Sequence, residues 1–317
     1  MSLQTRKPTG KVAWPLLLVE GEEKAGKTYA SLALSADERI GRTFAFDMGE
    51  GTIDEYASLG PYEVVDHNGT YTDLMAKVKA ATLEPMVDGK PNLIVIDSAT
   101  AVWDVIKDGL TARARRSRAG QKALREDPDA EVRIGQDLWN DGKSRWGRLV
   151  NTLIRWDGVA VLIAHGKEVT AMEDGRPLAG TKEWKVEAEK NLTKVVTGWV
   201  RMTRPHTATA IGWRSLASEA PRNGLVLPDD APLAHLVFEV LGAGGEFGHS
   251  STVTPTVEWD ARQAQRQLLD LVTDLKLPDP KVTARAVWDA VVPDGATETT
   301  DDLWAQLEGA ARERVPS

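Results

Sequence analysis

An apolar run from Val12 to Val19 leads directly into Gly21-Glu22-Glu23-Lys24-Ala25-Gly26-Lys27-Thr28, and Thr28 to Ser35 continues with helical character. A buried strand, a glycine-spaced turn and a helix in immediate succession fit the spacing G-x-x-x-x-G-K-[ST]. Such a turn curls its backbone N–H groups inward, and the helix behind it adds the positive end of its dipole. The pattern therefore constrains the chain to a fold that can hold this turn at the carboxyl end of a buried strand, and the ligand it suits is a polyphosphate. In that reading Lys27 reaches the β- and γ-phosphates, Thr28 binds Mg²⁺ and Lys24 adds a further positive contact. Gly21, Glu22, Glu23, Ala25, Gly26 and Tyr29 complete the binding stretch, with ATP and Mg²⁺ as the expected cofactors.

The rest of the chain agrees with that demand. Short apolar runs at Thr43–Phe46, Tyr62–Val65, Leu93–Ile96 and Val159–Ala164 alternate with helical spacing over Tyr71–Leu83 and residues 134–156. Strands alternating with helices predict an α/β fold with a mostly parallel sheet covered on both faces. Val195–Met202 and Thr207–Trp213, joined at Arg204-Pro205-His206, predict a terminal β-hairpin, and Leu236–Leu241 predicts one more strand. Residues 243–257 are rich in Gly, Ser and Thr and read as a linker between a core, 1–242, and a small helical domain, 258–317. Helices are expected there around Leu268–Leu275, Val282–Val291 and Asp301–Arg312, and this part carries -5 of the total formal charge of -8. The chain has no cysteine, which excludes disulfides, thiol catalysis and Cys-ligated metals. Its first apolar run is far shorter than the ~20 residues of a membrane helix, so a cytoplasmic protein with no membrane partner is expected.

A second chemical signal is Leu93-Ile94-Val95-Ile96-Asp97-Ser98. A carboxylate at the end of a buried strand, some 70 residues after the phosphate loop, is what a second Mg²⁺-organising position requires. Another carboxylate, Asp47 or Glu50, follows the Thr43–Phe46 strand, where it would stand beside the nucleotide crevice as a candidate base for water. Lys107 to Arg125 carries Lys107, Arg113, Arg115, Arg116, Arg118, Lys122 and Arg125 against Asp108 alone, a net +6 inside an acidic chain. A mobile basic loop of this kind neutralises backbone phosphates without reading sequence; a solvated basic helix face is the plainer alternative. Eleven tryptophans against four Phe and four Tyr have no functional account beyond packing.

The stretch Phe46-Asp47-Met48-Gly49-Glu50-Gly51-Thr52-Ile53-Asp54-Glu55-Tyr56-Ala57-Ser58-Leu59-Gly60 resembles the segment after the second core strand of RecA-type recombinases, and Asp97-Ser98 resembles their Asp-Ser. The order of features over residues 11–242 is most similar to phage-encoded RecA-like ATPases of the Sak type. The resemblance implies a RecA-like P-loop core in which Glu50 activates water, with Asp47 as the alternative because this chain has one more residue before the Glu. It implies that His165, at the end of the Val161–Ala164 strand, senses the γ-phosphate, and that residues 107–125 form a first DNA-facing loop. The polar stretch Lys167–Asn191 would be a second such loop, with Trp184 between Lys182 and Lys185 suited to base stacking. An arginine supplied to a neighbour's site is expected as well: Arg214, with Arg201, Arg204 and Arg222 as rivals. The function implied is a Mg²⁺-dependent ATPase that binds single-stranded DNA in phage recombination or strand annealing, as a homo-oligomeric ring or filament. The C-terminal domain is the expected place for a protein partner. Two other readings stay open, a P-loop ATPase or kinase without DNA and a non-catalytic nucleotide-switched module.

Overall fold

Strand β1, Leu16–Gly21, is buried along its whole length. Its side chains divide by parity, Leu17 and Val19 into one apolar layer and Leu16 and Leu18 into the other. That division is possible only for a strand covered on both faces. The computed structural model describes residues 12–173, 176–215, 224–242, 259–292, 298–299 and 301–314, with Thr5 and Lys7. The expected linker and Arg222 lie outside the described residues. The chain divides into two units, Met1–Ser250 and Ser251–Ser317.

In the first unit, β1 is followed by α1 (Lys27–Ala33), β2 (Thr43–Asp47), β3 (Glu63–Val64), α2 (Tyr71–Leu83) and β4 (Leu93–Asp97). Then come α3 (Ala99–Arg116), α4 (Arg118–Glu126), α5 (Gln136–Arg155), β5 (Val159–Glu173) and β6 (Arg176–Val186). The unit closes with α6 (Leu192–Val195), β7 (Gly198–Arg204), β8 (Thr207–Trp213), β9 (Leu225–Val226) and α7 (Pro232–Ala234). The sheet order is β3-β2-β4-β5-β1-β7-β8-β9, with β6 paired to β5. From β3 to β7 the pairs are parallel, and β8, β9 and β6 are antiparallel to their neighbours. The α/β class, the mostly parallel sheet and the hairpin at Arg204-Pro205-His206 stand as the sequence predicts.

The register sets the site. Gly21 lies opposite His165, Asp97 opposite Ile163, and Asp47 opposite Asp97, so β1, β4 and β2 end almost level with one another and with His165 of β5. The crevice for a ligand in an open α/β sheet lies outside those ends. One face of the sheet packs under α1 and the helical segment 232–240, and the other under α2, α3 and α5, with Val102, Ile106, Trp146, Leu149 and Leu153 buried.

Four expectations need correction. Leu236–Leu241 is not a strand: residues His235–Val240 form a π-helical turn that continues α7. Leu233, Leu236, Val237 and Val240 are buried, and a short apolar run cannot by itself reveal its period. The strand expected from Val195 starts at Gly198, after the helical turn α6. Residues 107–125 are not a loop but the end of α3 and most of α4, with Ser117 Oγ accepting from Gly120 N at 3.1 Å. The buried positions Val102, Ile106, Leu110 and Ala114 recur every four residues, and the dense positive charge beside them masks that stripe. Lys167–Asn191 is mostly a β-hairpin, β5 continuing beyond the sheet and β6 returning along it. Its described side chains are mostly exposed, so no apolar face announces it in the sequence.

The second unit packs α8 (Ala261–Asp274), α9 (Pro280–Val291) and α10 (Asp301–Arg312) around Leu268, Val272, Leu277, Val287, Leu307 and Ala311. A short antiparallel pair, β10 (Trp259–Asp260) and β11 (Glu298–Thr299), accompanies them.

Leu149, fully buried beneath the sheet, is a direct check on this packing. Leu149→Ala is expected to lower stability by about 2–5 kcal/mol, read as a shift of the urea midpoint at unchanged slope. A loss under about 1 kcal/mol would place Leu149 outside the core.

Candidate functional site

β1 ends at Gly21 and α1 begins at Lys27, so the glycine-spaced turn joins them as the motif requires. Gly21 is needed for close approach: a Cβ there would lie 1.7 Å from the carbonyl oxygen of Met202 on β7. Gly26, at φ 91°, takes the left-handed conformation immediately before α1. Lys27 is only 7% exposed. Its Nζ donates to the carbonyl oxygens of Gly21 (3.2 Å) and Glu22 (2.6 Å), so the ammonium lies over the turn itself. Burial lowers its pKa, against the attraction of Asp97, Glu50, Glu20 and Glu23.

Thr28 Oγ1 donates to Asp97 Oδ2 at 2.6 Å. Asp97 is 1% exposed, and burial pushes its pKa up to about 6. The Glu50 and Asp47 carboxylates push in the same direction, while the Thr28 hydrogen bond and the Lys27 charge oppose them. An oxygen from the first turn of α1 and one from the end of β4 thus converge where the motif places a cation. Among the described residues no cluster of three or more His, Cys, Asp or Glu could hold a metal ion. A cation here would rest on the Thr28 and Asp97 oxygens, phosphate oxygens and water. That hard, water-rich donor set suits Mg²⁺, which binds through one or two carboxylates plus substrate phosphates.

The two candidate bases differ in what they touch. Asp47 Oδ1 accepts from the N–H groups of Gly49 and Glu50, both at 2.8 Å, so this carboxylate builds the turn after β2. Glu50 is carried by that turn, and its Oε1 lies 3.1 Å from His165 Nε2. His165 is itself fixed from two directions. Its N–H donates to Thr100 Oγ1 at 2.9 Å, in the first turn of α3, and its carbonyl accepts from Glu187 N at 2.8 Å, just after β6. The residue expected to sense a phosphate therefore holds the expected base.

Two arms leave this end of the sheet. In the helical one, Gly142 of α5 faces Ile106 and Leu110 of α3, Trp103 meets Trp146, and Arg113 pairs with Asp141, so α3 and α5 run antiparallel. Arg115, Arg116, Arg118, Lys122 and Arg125 are exposed around its tip; Lys122 has only a loose ion pair with Glu126, at 3.9 Å. The other arm is the β5–β6 hairpin. Lys182 pairs with Glu168 at 2.8 Å and Lys185 is exposed, facing Lys167 across the strands. Trp184 does not stand free for stacking. Its Nε1 donates to Glu20 Oε2 at 2.6 Å, and the Arg201 guanidinium lies 4.7 Å from its ring centre. Arg201 is tied to Glu20 at 2.7 Å, which removes it as a mobile finger. Arg214 is exposed, but β8 runs antiparallel to β7 and Arg214 N bonds to Thr197 O, ahead of Gly198. It therefore sits at the amino-terminal end of β1, away from its own chain's phosphate loop. Arg204 ends β7 on the loop side and is exposed.

The sequence reading missed Glu20, an acidic residue at a buried parity of β1, and the aromatic neighbours of Tyr29. Tyr29 is 42% exposed and meets Tyr56 edge-on at 6.3 Å and His206 at 5.9 Å. The tryptophan and aromatic counts were the available signals; nothing in the spacing paired them.

No protein-family model matches the chain, and no curated protein sequence matches it. Among solved structures the chain is similar to the RadB recombinase at 17% identity and TM-score 0.36, over 69% of this chain and 87% of that one. It is also similar to an ATPase from the type III secretion system of pathogenic bacteria at 13% identity and TM-score 0.35, over 95% of this chain and 80% of that one. The roles of the site residues rest on the geometry above and not on these likenesses.

The raised pKa of Asp97 has a sign that can be checked. Between its ordinary value of 3.8 and about 6 the folded state holds a proton that the unfolded chain has lost. Stability therefore falls as pH rises through that window. Asp97→Asn is expected to be more stable than the wild type at pH 8, on the order of 1–3 kcal/mol, and no more stable at pH 3.5. Urea midpoints at the two pH values measure this; a less stable variant at pH 8 contradicts the assignment.

Proposed function

We propose that the chain is a Mg²⁺-dependent ATPase whose client is single-stranded DNA. The observation that carries the ATPase part is the part-buried Thr28–Asp97 hydrogen bond at 2.6 Å, beside Lys27 and the turn between β1 and α1. Mg²⁺ bound there would neutralise charge on the phosphate oxygens. Lys27 would exchange the carbonyls of Gly21 and Glu22 for β- and γ-phosphate oxygens, and the first-turn N–H groups of α1 would face the same phosphates. Glu50 would orient the attacking water and accept its proton, with His165 holding the carboxylate in place. Asp47, occupied by two backbone donors, fits a supporting role better than that of base.

The DNA part draws on charge. The exposed Arg115, Arg116, Arg118, Lys122 and Arg125 gather at one helical arm of an acidic chain, the footprint of sequence-independent phosphate binding. The hairpin arm, with Lys182 and Lys185, lies across the same end of the sheet. The setting, phage DNA recombination or strand annealing, follows from the sequence resemblance alone. So does a homo-oligomer, ring or filament, in which Arg214 would serve a neighbour's phosphate loop.

Steady-state hydrolysis with and without single-stranded DNA tests both parts. Turnover should rise with DNA, and Glu50→Gln should lower kcat about 10²–10⁴-fold while leaving nucleotide binding intact. Turnover indifferent to DNA would leave an ATPase with another client, and undiminished turnover in Glu50→Gln would remove Glu50 as the base. For the arm, the combined Arg115→Ala, Arg116→Ala and Arg118→Ala variant should reduce the slope of log affinity against log salt by about 2. An unchanged slope would take these arginines off the DNA path.

A further inference from the structure

Glu20 is 0% exposed, yet it carries a carboxylate into the sheet one residue before the phosphate loop begins. Three donors converge on it. Trp184 Nε1 reaches Oε2 at 2.6 Å, and Trp199 Nε1 and Arg201 Nε reach Oε1 at 3.0 and 2.7 Å. The Arg201 guanidinium also covers both indole rings, 4.7 Å from the centre of Trp184 and 5.4 Å from that of Trp199. A buried carboxylate needs hydrogen-bonding or ionic partners, because leaving it unpaired in an apolar layer is costly.

The three donors do not come from one place. Trp199 and Arg201 are on β7, the lateral neighbour of β1, with Arg201 directly opposite Glu20. Trp184 is on β6, the return strand of the hairpin arm, far from β1 in sequence. Its ring crosses the backbone of β5 at Gly166, where a Cβ would lie 2.4 Å from Glu20 Oε2 and 2.7 Å from Trp184. Only glycine there lets the indole reach the carboxylate. Gly166 follows His165, the residue that holds Glu50.

We infer that Glu20 is a positioning residue which, through Trp184, locks the β5–β6 hairpin onto the strand that delivers the phosphate loop. Occupancy of the loop is thereby transmitted to the hairpin independently of the Glu50–His165 contact. The inference rests on the nucleotide-site reading above and adds a defined mechanical link to it. Displacing Gly21 along β1 moves Glu20, its covalent neighbour, and a hydrogen bond of 2.6 Å to an indole tolerates little change before it lengthens and weakens. The hairpin is the more yielding partner, since its side chains beyond the clasp are mostly exposed.

Amide hydrogen exchange on the full chain, with and without Mg²⁺ and a non-hydrolysable ATP analogue, reads both ends of the link in one sample. In the wild type the analogue should slow exchange about fivefold or more at residues 21–28 and also in the hairpin, 166–171 and 177–186. Trp184→Phe keeps the aromatic ring and deletes the N–H. It should retain the response at 21–28, which also certifies that the variant is folded, and lose the response in the hairpin. Trp199→Phe deletes a donor to the same carboxylate without touching the hairpin and should keep both responses. A hairpin that still responds in Trp184→Phe, or one that also falls silent in Trp199→Phe, overturns the link. A wild-type hairpin that ignores a bound analogue overturns it too, while the site reading survives. No wild-type response at 21–28 overturns the site reading and the inference together.

Discussion

The hydrogen bond from the Thr28 hydroxyl to the Asp97 carboxylate organises the rest of the site. It joins the first turn of α1 to the end of β4, two places that the chain separates by 69 residues and the sheet separates by one intervening strand. For that contact to form, β4 must end level with β1. The registers through β5 achieve this chiefly with apolar residues, Leu93 to Ile96 against Val159 to Leu162 and Leu16 to Val19 against Ala160 to Ile163. Burial makes the carboxylate costly to ionise, and the neighbouring Glu50 and Asp47 add to that cost. A site that concentrates negative charge out of water is one that rewards a divalent cation.

Much of this was legible because it depends on local rules. The glycine-spaced turn, the strand ending at Asp97 and the β7–β8 hairpin are short patterns with a fixed period or a fixed turn residue. What was not legible depends on where a segment stands relative to the core. Lys107 to Arg125 is helical because Ile106, Leu110 and Ala114 are buried on one side, as the alternative of a solvated basic helix face allows, while seven basic residues on the others suggested a mobile loop. The hairpin formed by β5 and β6 leaves the sheet and has solvent on most of its surface, so its strands lack the apolar alternation that marks strands elsewhere. Leu236–Leu241 failed in the opposite sense, as an apolar run too short to disclose a helical period.

The tryptophans show the same division. Their number was conspicuous in the sequence, but their partners were not. Trp103, Trp139 and Trp146 hold the α3–α5 arm together, and Trp184 and Trp199 serve the Glu20 carboxylate. An indole brings a large apolar body with one N–H donor, which suits both duties. Glu20 itself left one readable sign, an acidic residue at the inward parity of a strand whose other residues are all buried. Such a residue demands a cationic or N–H partner, and the attachment of the hairpin arm to β1 through Trp184 follows from finding it.

The most direct test of the account is calorimetric titration of ADP into the wild type and Asp97→Asn, each with and without Mg²⁺. If Thr28 and Asp97 form the cation position beside bound phosphates, Mg²⁺ should tighten ADP binding to the wild type about tenfold or more and leave the variant almost unaffected. Equal tightening in both proteins, or no ADP binding by the wild type, would contradict it.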